Sequence, residues 1–388
     1  MAEELSYVVI TPYSLRKSRT GGIISRLLAR TGLELVAGRI FAPGRELADA
    51  YAEIVAGEPD PKHEKTQELI RDYVLRKLGP DASGRRQRVL LLVLRGEDAV
   101  QKTRSVTGYI VKDRTSGETI RDTYGDYIVE DGRVVYFEPA VLAAPDAESA
   151  RRHLGLWARY SDTDGGVLED SVIFPAGADV ETTLVLLKPD NFRFPNARTG
   201  GLIDAFSRTG LSIVGFQVHH LSLAQAEEFY RPVLETITEK LSAAIGKQSR
   251  LAIESELGFP LGDAIEPGLA ALVGPAAGRA AWESLIQFIC GVRPGDCPAE
   301  RRDLPGPEKC VALVYRGIDA VSKIRAVLGP TDPSKAPPGS IRKEFGQTIM
   351  SNAAHASDSV ENARREMAIL RMGENNLKPL LEAQPKPV

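Results

Sequence analysis

The feature that most constrains this chain is an internal repeat. Residues Tyr7 to Arg39, YVVITPYSLRKSRTGGIISRLLARTGLELVAGR, are echoed from Thr183 onward by TLVLLKPDNFRFPNARTGGLIDAFSRTGLSIVGFQ. Each segment reads as a strand, a loop ending in RTGG, a helix, RTGL and a second strand. The echo returns at LLLVLRGEDAVQKTR (Leu90 to Arg104) and VALVYRGIDAVSKIR (Val311 to Arg325), then at GETIRDTYG and GSIRKEFG, and faintly at AESARRHLGL and VENARREMAI. A tandem duplication means two copies of one fold, and 388 residues suit two cores better than one.

The spacings locate what each copy has gained. The RTGG motifs lie 179 positions apart and RGEDAV lies 221 before RGIDAV, so the second copy carries 42 extra residues between its second and third strands. Glu148 and Glu361, in the last echo, are only 213 apart, which gives the first copy eight extra residues before its last helix, within YIVEDGRVVYFEP. Those residues read as an added hairpin turning at Asp131-Gly132. The polar, glycine-rich start of SDTDGGVLEDSVIFPAGADVE marks a linker. The resulting organisation is a first domain over 1–160, a linker over 161–179 and a second domain over 180–388 with an insertion at about 235–278. Short apolar runs of strand length (TTLVLLK, VALVY) alternate with helical patterns such as Leu202, Ile203 and Phe206. The expected class is α+β: two tandem ferredoxin-like, split βαβ domains, each an antiparallel sheet covered by helices.

Composition narrows the function classes. The net charge of -3 offers no bulk attraction for nucleic acid, so any nucleotide site is local. No apolar run approaches the roughly 20 residues of a membrane span, and the start lacks a basic segment followed by an apolar one. The expected setting is the cytoplasm, with no membrane partner. Cys290, Cys297 and Cys310 lack the paired spacing of a zinc site and read as thiols in a reducing compartment.

Several residues of the second copy invite a chemical reading beside a bland one. Lys188 ends an apolar strand, where lysines are usually just solvated. Arg325 and Arg342 have counterparts at Arg104 and Arg121, so a shared structural role competes with phosphate binding. His355 lies just before a predicted helix whose D-x-x-E start, Asp358 to Glu361, reads as a capping box. Val360, Ala363, Met367 and Leu370 then form one apolar stripe. The unpaired amides and positive dipole end of such a helix favour a bound anion. Glu366 falls beside the apolar stripe, an odd place for a carboxylate without a partner, and the imidazole is a candidate for that partner.

The segment Asn352-Ala353-Ala354-His355-Ala356-Ser357-Asp358 resembles the nucleoside diphosphate kinase signature N-x-x-H-x-S-D. TLVLLKPD is similar to the family's first strand, RGIDAVSKIRAVLGPTDPSKAPPGSIRKEFG to its stretch from third strand to active-site loop, and SDSVENARREMAI to its last major helix. The resemblance implies ping-pong phosphoryl transfer, in which a histidine takes the γ-phosphate of a nucleoside triphosphate and gives it to a different nucleoside diphosphate. Imidazole suits that task near neutral pH, and the transition state needs positioned cations and donors. By this resemblance His355 is the nucleophile, and Ser357 with Glu366 orient it. Arg325, Thr331 and Arg342 match phosphate-binding positions, Lys188 and Asn352 reach the sugar hydroxyl and the phosphates, and Tyr230 lies near the transferred phosphate. Magnesium would arrive with the nucleotide rather than in a protein cage.

The chain also departs from the family. After Tyr230 the family runs into P-F-F, whose aromatic stacks on the base, whereas this chain reads RPVLETITEKLSAAIGKQ; a segment like the family's following helix resumes at about AAWESLIQFICG, where Trp282 and Phe288 are the nearest aromatics. The insertion falls where the family has a helical hairpin flanking the base, and a lid, a partner surface and inert bulk are all open readings of it. Ala356 replaces the signature glycine. In the first copy Thr11 stands for Lys188, Tyr13 for Asp190, Leu142 for His355, Ala144 for Ser357 and His153 for Glu366. His153 falls inside the last helix rather than at its entrance, so the first copy reads as a pseudo-domain that packs on the active one, forming an intramolecular pseudo-dimer open to further assembly. Arg104, Arg121 and Tyr51 remain there as possible phosphate holders. The leading function is a nucleoside diphosphate kinase with one working site; the alternative is a catalytically altered nucleotide-binding or scaffold protein.

Overall fold

The computed structural model describes residues 3–58, 64–110, 116–131 and 133–383. Two compact units form: one holds the residues up to 218 together with those from 311 onward, the other residues 219–310.

The first unit contains both copies of the repeat, each built on a four-stranded sheet. In the first copy these are β1 (Glu3–Ile10), β2 (Glu34–Phe41) and β3 (Val89–Glu97). After them come the hairpin strands β4 (Asp126–Glu130) and β5 (Arg133–Glu138) and the short β6 (Val141–Leu142). The second copy uses β7 (Val180–Leu187), β8 (Ser212–His219), β9 (Cys310–Ile318) and β10 (Ala354–Ala356). The sheet orders are β2-β3-β1-β6 and β10-β7-β9-β8, the same ferredoxin-like arrangement written in opposite directions. The register repeats as well. Val8 opposes Leu92 and Ile10 opposes Leu90, while Val185 opposes Leu313 and Leu187 opposes Val311, always antiparallel. A one-residue slip would turn every buried side chain to the wrong face, so the matching registers follow from matching apolar patterns. The extra residues of the first copy form the β4–β5 hairpin, paired from Asp126↔Glu138 to Glu130↔Arg133; Gly132, expected in its turn, lies outside the described residues.

The RTGG motif explains how the copies meet. Helices Thr20–Thr31 and Arg198–Ser207 cross at its first glycine. A Cβ on Gly21 would lie 2.4 Å from the Asp204 amide and 2.5 Å from the Gly200 carbonyl, and one on Gly200 would lie 2.2 Å from the Ser25 amide and 2.3 Å from the Gly21 carbonyl. Only glycine permits that approach from both sides. Each motif's arginine ties its helix to its own copy, Arg19 donating to the Tyr124 carbonyl and Arg198 to the Phe345 carbonyl. One continuous apolar cluster then includes Val8, Ile24 and Leu27 of the first copy with Val185, Leu202, Phe206 and Phe216 of the second. The other face of the first sheet has its own core around Tyr51 and Trp157, which the C-terminal helix Leu377–Glu382 joins through Leu377 and Leu381.

The segment following the first copy straps the edge strands of both sheets. The Gly166 amide donates to the Ile40 carbonyl on β2 at 2.9 Å and the Leu168 amide to the Val214 carbonyl on β8 at 2.8 Å. Covering edge strands in this way removes a surface for unwanted pairing.

The second unit is helical. Helix Leu223–Tyr230 is followed by two long antiparallel helices, Val233–Leu257 and Glu266–Cys290, of 25 residues each. Their seam uses small residues: a Cβ on Gly246 would meet Ala270, on Gly274 Ser242, and on Gly278 Thr238. Residues 235–278 therefore form nearly all of the first of these helices and about half of the second. Cys290 and Cys310 are buried and Cys297 is partly buried, all as thiols. Among the described residues no helix is long and apolar enough to cross a membrane.

Candidate functional site

The site is assembled at one edge of the second sheet, where β10 pairs with β7 (His355↔Leu186). His355 therefore sits in a strand rather than in the mouth of the following helix, because three residues of pairing fix its backbone. That helix, Val360–Ile369, is capped by Ser359, whose side chain accepts from the Asn362 amide at 3.0 Å. The expected cap, Asp358, lies one residue too early and instead accepts from the Asn362 side chain at 2.6 Å. Serine and aspartate are comparable caps, so composition alone does not choose between neighbours.

The carboxylate beside the apolar stripe finds its partners. His355 Nε2 lies 2.9 Å from Glu366 Oε2, and Ser357 Oγ donates to the same oxygen at 2.6 Å. Glu366 is 6% exposed and His355 21%, so the imidazole is reachable while the carboxylate behind it is screened. A buried carboxylate with two short polar contacts holds the ring in a defined orientation.

A second group lies on the loop entering β10. Lys188 Nζ donates to Asn352 Oδ1 at 2.7 Å, and Asn352 Nδ2 donates to the Thr331 and Ile349 carbonyls at 3.0 and 2.8 Å. Both side chains are buried. The loop is pinned from behind by residues to which the sequence alone assigned no role in the site. Asn191 Nδ2 donates to the Ala353 carbonyl at 2.7 Å, and Arg198 Nε donates to Asn191 Oδ1 at 2.7 Å. Asp190 accepts from Ser351 Oγ at 3.2 Å and from the Ala353 amide at 3.3 Å. The available signal was the KPDN that follows the strand, ahead of the repeated RTGG.

Ala353 is strained, with φ of 70°, in the left-handed region that costs a non-glycine residue on the order of 1 kcal/mol. Its counterpart Ala140 has φ of 61°, and its carbonyl accepts from the Thr11 amide at 3.2 Å and Ser14 Oγ at 2.9 Å. Both copies keep the strained turn, so it belongs to the fold rather than to the histidine.

The arginines divide. Arg342 donates to the Gly329 and Ala354 carbonyls at 2.9 and 3.1 Å, and Arg121 donates to the Gly108 and Val141 carbonyls at 2.8 and 3.2 Å. This is one structural clamp used twice, joining a helix end to the last strand. Arg325 is exposed on helix Ala320–Leu328 and lines an open cleft with Asp358, Ser359 and Glu361 that none of Lys188, Asn352, Arg342 or His355 lines. Thr331 is exposed beside Asn352. Tyr230 lies in the helical unit, buried at the end of its helix. In that unit Trp282 is 7% exposed and its indole donates to the Tyr230 carbonyl at 2.8 Å, so it is a packing residue and not a platform for a base; Phe288 is partly buried.

The first copy shows what the same frame holds without the histidine. Leu142 pairs with Val9 as His355 pairs with Leu186. His153, in helix Ala147–Arg159, is buried with Nε2 2.7 Å from Glu58 Oε1 and Nδ1 in contact with the Tyr7 hydroxyl, which also lies 3.1 Å from the Tyr51 hydroxyl. Burial pushes Tyr7 and Tyr51 well above the usual phenol range. This is a closed polar core.

The model of the family described as Nucleoside diphosphate kinase matches residues 305–374, the stretch that carries Arg325, Thr331, Arg342, Asn352, His355, Ser357 and Glu366. A nucleoside diphosphate kinase of Helicobacter pylori is 30% identical over 188 residues, covering 48% of this chain and 93% of its own length. The chain belongs to the nucleoside diphosphate kinase family. A nucleoside diphosphate kinase of Sulfurisphaera tokodaii is 27% identical, covering 52% of this chain and 97% of its own length. The solved structure of an NDP kinase from Pyrobaculum aerophilum is 27% identical, covers 49% of this chain and 94% of its own, and has a TM-score of 0.32. The Helicobacter pylori and Sulfurisphaera tokodaii relatives each span about half of this chain, in keeping with a member that carries the fold twice.

Proposed function

We propose that this chain is a working nucleoside diphosphate kinase whose phosphoryl carrier is His355. The observation that carries the reading is the contact of His355 Nε2 with buried Glu366, itself held by Ser357, in a copy that also keeps Lys188 and Asn352. With the Nε2 proton donated to Glu366, the ring's lone pair resides on Nδ1. Nδ1 attacks the γ-phosphorus while the bond to the β–γ bridging oxygen breaks, and that electron pair leaves with the nucleoside diphosphate. A terminal phosphate oxygen of a different nucleoside diphosphate then attacks the same phosphorus, the P–N bond breaks and its electron pair returns to Nδ1. Glu366 stabilises the positive charge that the ring acquires, as a carboxylate behind a catalytic imidazole does.

Lys188 and Asn352 take the sugar hydroxyl and phosphates, joined by Thr331, Arg342 and Arg325. For Arg342 this requires sharing a guanidinium already committed to two carbonyls, and for Arg325 a turn out of its own cleft. Among the described residues no three His, Cys, Asp or Glu side chains are grouped to hold a metal, and the cations and amides of this site suit phosphate oxygens. A magnesium ion would come coordinated by the nucleotide's phosphates and water, and would neutralise charge developing on them. The first copy is a pseudo-domain whose site is closed by Leu142 and the His153 core.

The engaged arginines and the buried Trp282 favour one rival, a nucleotide-binding protein that no longer turns over. A pulse of γ-labelled ATP followed by a chase with a second nucleoside diphosphate separates the two. The kinase gives acid-labile label that leaves with the chase and is absent from His355→Gln. Nucleotide binding without label on the folded wild type means the rival.

A further inference from the structure

Between the two copies, away from the histidine, lies a cavity of about 310 Å³, in the lower range of small-molecule sites and roomy enough for on the order of ten waters. Arg16, Thr20 and Arg88 of the first copy and Ser207, Ser212 and Tyr315 of the second line it. Its electrostatics are one-sided. Arg88 is partly buried and donates to the Ile213 carbonyl, Arg16 donates to Gln87 at 2.9 Å, and no carboxylate is among the described lining residues. Desolvation, then the nearby Arg85 and Arg16, lowers the Arg88 guanidinium to about 10. A cation held in a partly dry site beside others of its own sign is costly unless a counter-ion answers it.

Tyr315 also lines the cavity. Tyr315 is 1% exposed, its hydroxyl has no hydrogen-bond partner among the described residues, and burial raises it well above the usual phenol range. A buried hydroxyl left unsatisfied forfeits about 1–3 kcal/mol, which a bound acceptor would restore. The equivalent residue of the first copy is Leu94, so the hydroxyl is specific to this side of the pseudo-dimer.

We propose that this inter-copy cavity binds a small phosphorylated anion, with the Arg88 and Arg16 guanidinium groups and the Tyr315 hydroxyl as donors. Two guanidinium forks and a neutral hydroxyl match tetrahedral phosphate oxygens better than a single point charge would. The site uses none of the residues assigned to phosphoryl transfer.

The test is hydrogen–deuterium exchange on the full chain with inorganic pyrophosphate as probe and malonate as a carboxylate control. Pyrophosphate is expected to protect amides in residues 15–21 and 207–213. The affinity read from that protection should fall at least about tenfold in Arg88→Met and severalfold in Tyr315→Phe, the worth of charged and neutral hydrogen bonds. Labelling of His355 should be unchanged in both. Arg88 also bonds backbone, so exposed Arg16→Ala, expected to weaken binding severalfold, keeps the test decisive if Arg88→Met does not fold. No protection by pyrophosphate, protection undiminished in Tyr315→Phe and Arg16→Ala, or protection by malonate alone would overturn the assignment.

Discussion

At the scale of residues, the site is a competition between chemistry and architecture for the same side chains. Glu366 was legible because a carboxylate on an apolar face needs a partner, and the structure supplies two in His355 and Ser357. Glu366→Gln keeps the shape but not the charge that steadies the imidazole, so kcat is expected to fall about 10- to 100-fold with the fold intact, the worth of a charge-assisted hydrogen bond. Ser357→Ala should cost less, about three- to tenfold. Steady-state kinetics beside a melting curve checks both, and unchanged kcat in Glu366→Gln would remove the carboxylate from the mechanism. The left-handed Ala353 was not legible, since alanine carries no signature of positive φ and only long-range ties to Asn191 and Asp190 impose it. Arg342 was half legible: the repeat showed that Arg121 shares its place, and the matching carbonyl contacts show why. In Arg121→Met, loss of that clamp is expected to lower stability by about 1–3 kcal/mol while turnover per folded molecule is unchanged, read by chemical denaturation and by kinetics on the refolded fraction. A specific loss of kcat would bring the first copy into the active site.

At the scale of elements, the doubled RTGG was visible in the sequence, but its meaning was not, because a glycine on a helix does not say what approaches it. The answer is the crossing of Thr20–Thr31 with Arg198–Ser207, where a methyl group would collide with backbone that cannot rotate away. Gly21→Ala and Gly200→Ala are each expected to destabilise by about 1–3 kcal/mol through forced separation of the helices. Gly155→Ala provides the control of opposite sign. Gly155 is an exposed helix residue whose added Cβ meets nothing within 4 Å, so the change should stabilise by about 0.5–1 kcal/mol. Equal effects at Gly21 and Gly155 would show that packing at the crossing is not the reason for the motif. The insertion was legible as a length and a place but not as a shape. Its small residues at Gly246, Gly274 and Gly278 acquire meaning only once two helices run antiparallel with these positions in their seam.

At the scale of the whole molecule, the two copies share one frame. The sheet order, the register, the strained alanine and the arginine clamp are all common to both copies. Beside the helical insertion and the added hairpin, the last strand and helix differ in a few side chains, Leu142 for His355, Ala144 for Ser357 and a buried His153 tied to Tyr7 and Glu58 in place of Glu366. Sequence comparison between the copies found these substitutions because the shared frame keeps them in register. It could not find the cavity between the copies, which is lined by residues far apart in the chain. The most direct measurement of the central claim is the number and location of phosphoryl groups on the intact chain after brief exposure to ATP, by mass spectrometry at alkaline pH. A single phosphoryl group per chain is expected, on the peptide containing His355 and removed by any nucleoside diphosphate. Phosphate on the peptide containing His153, phosphate that persists in His355→Gln, or no phosphate on a folded chain that binds nucleotide would contradict it.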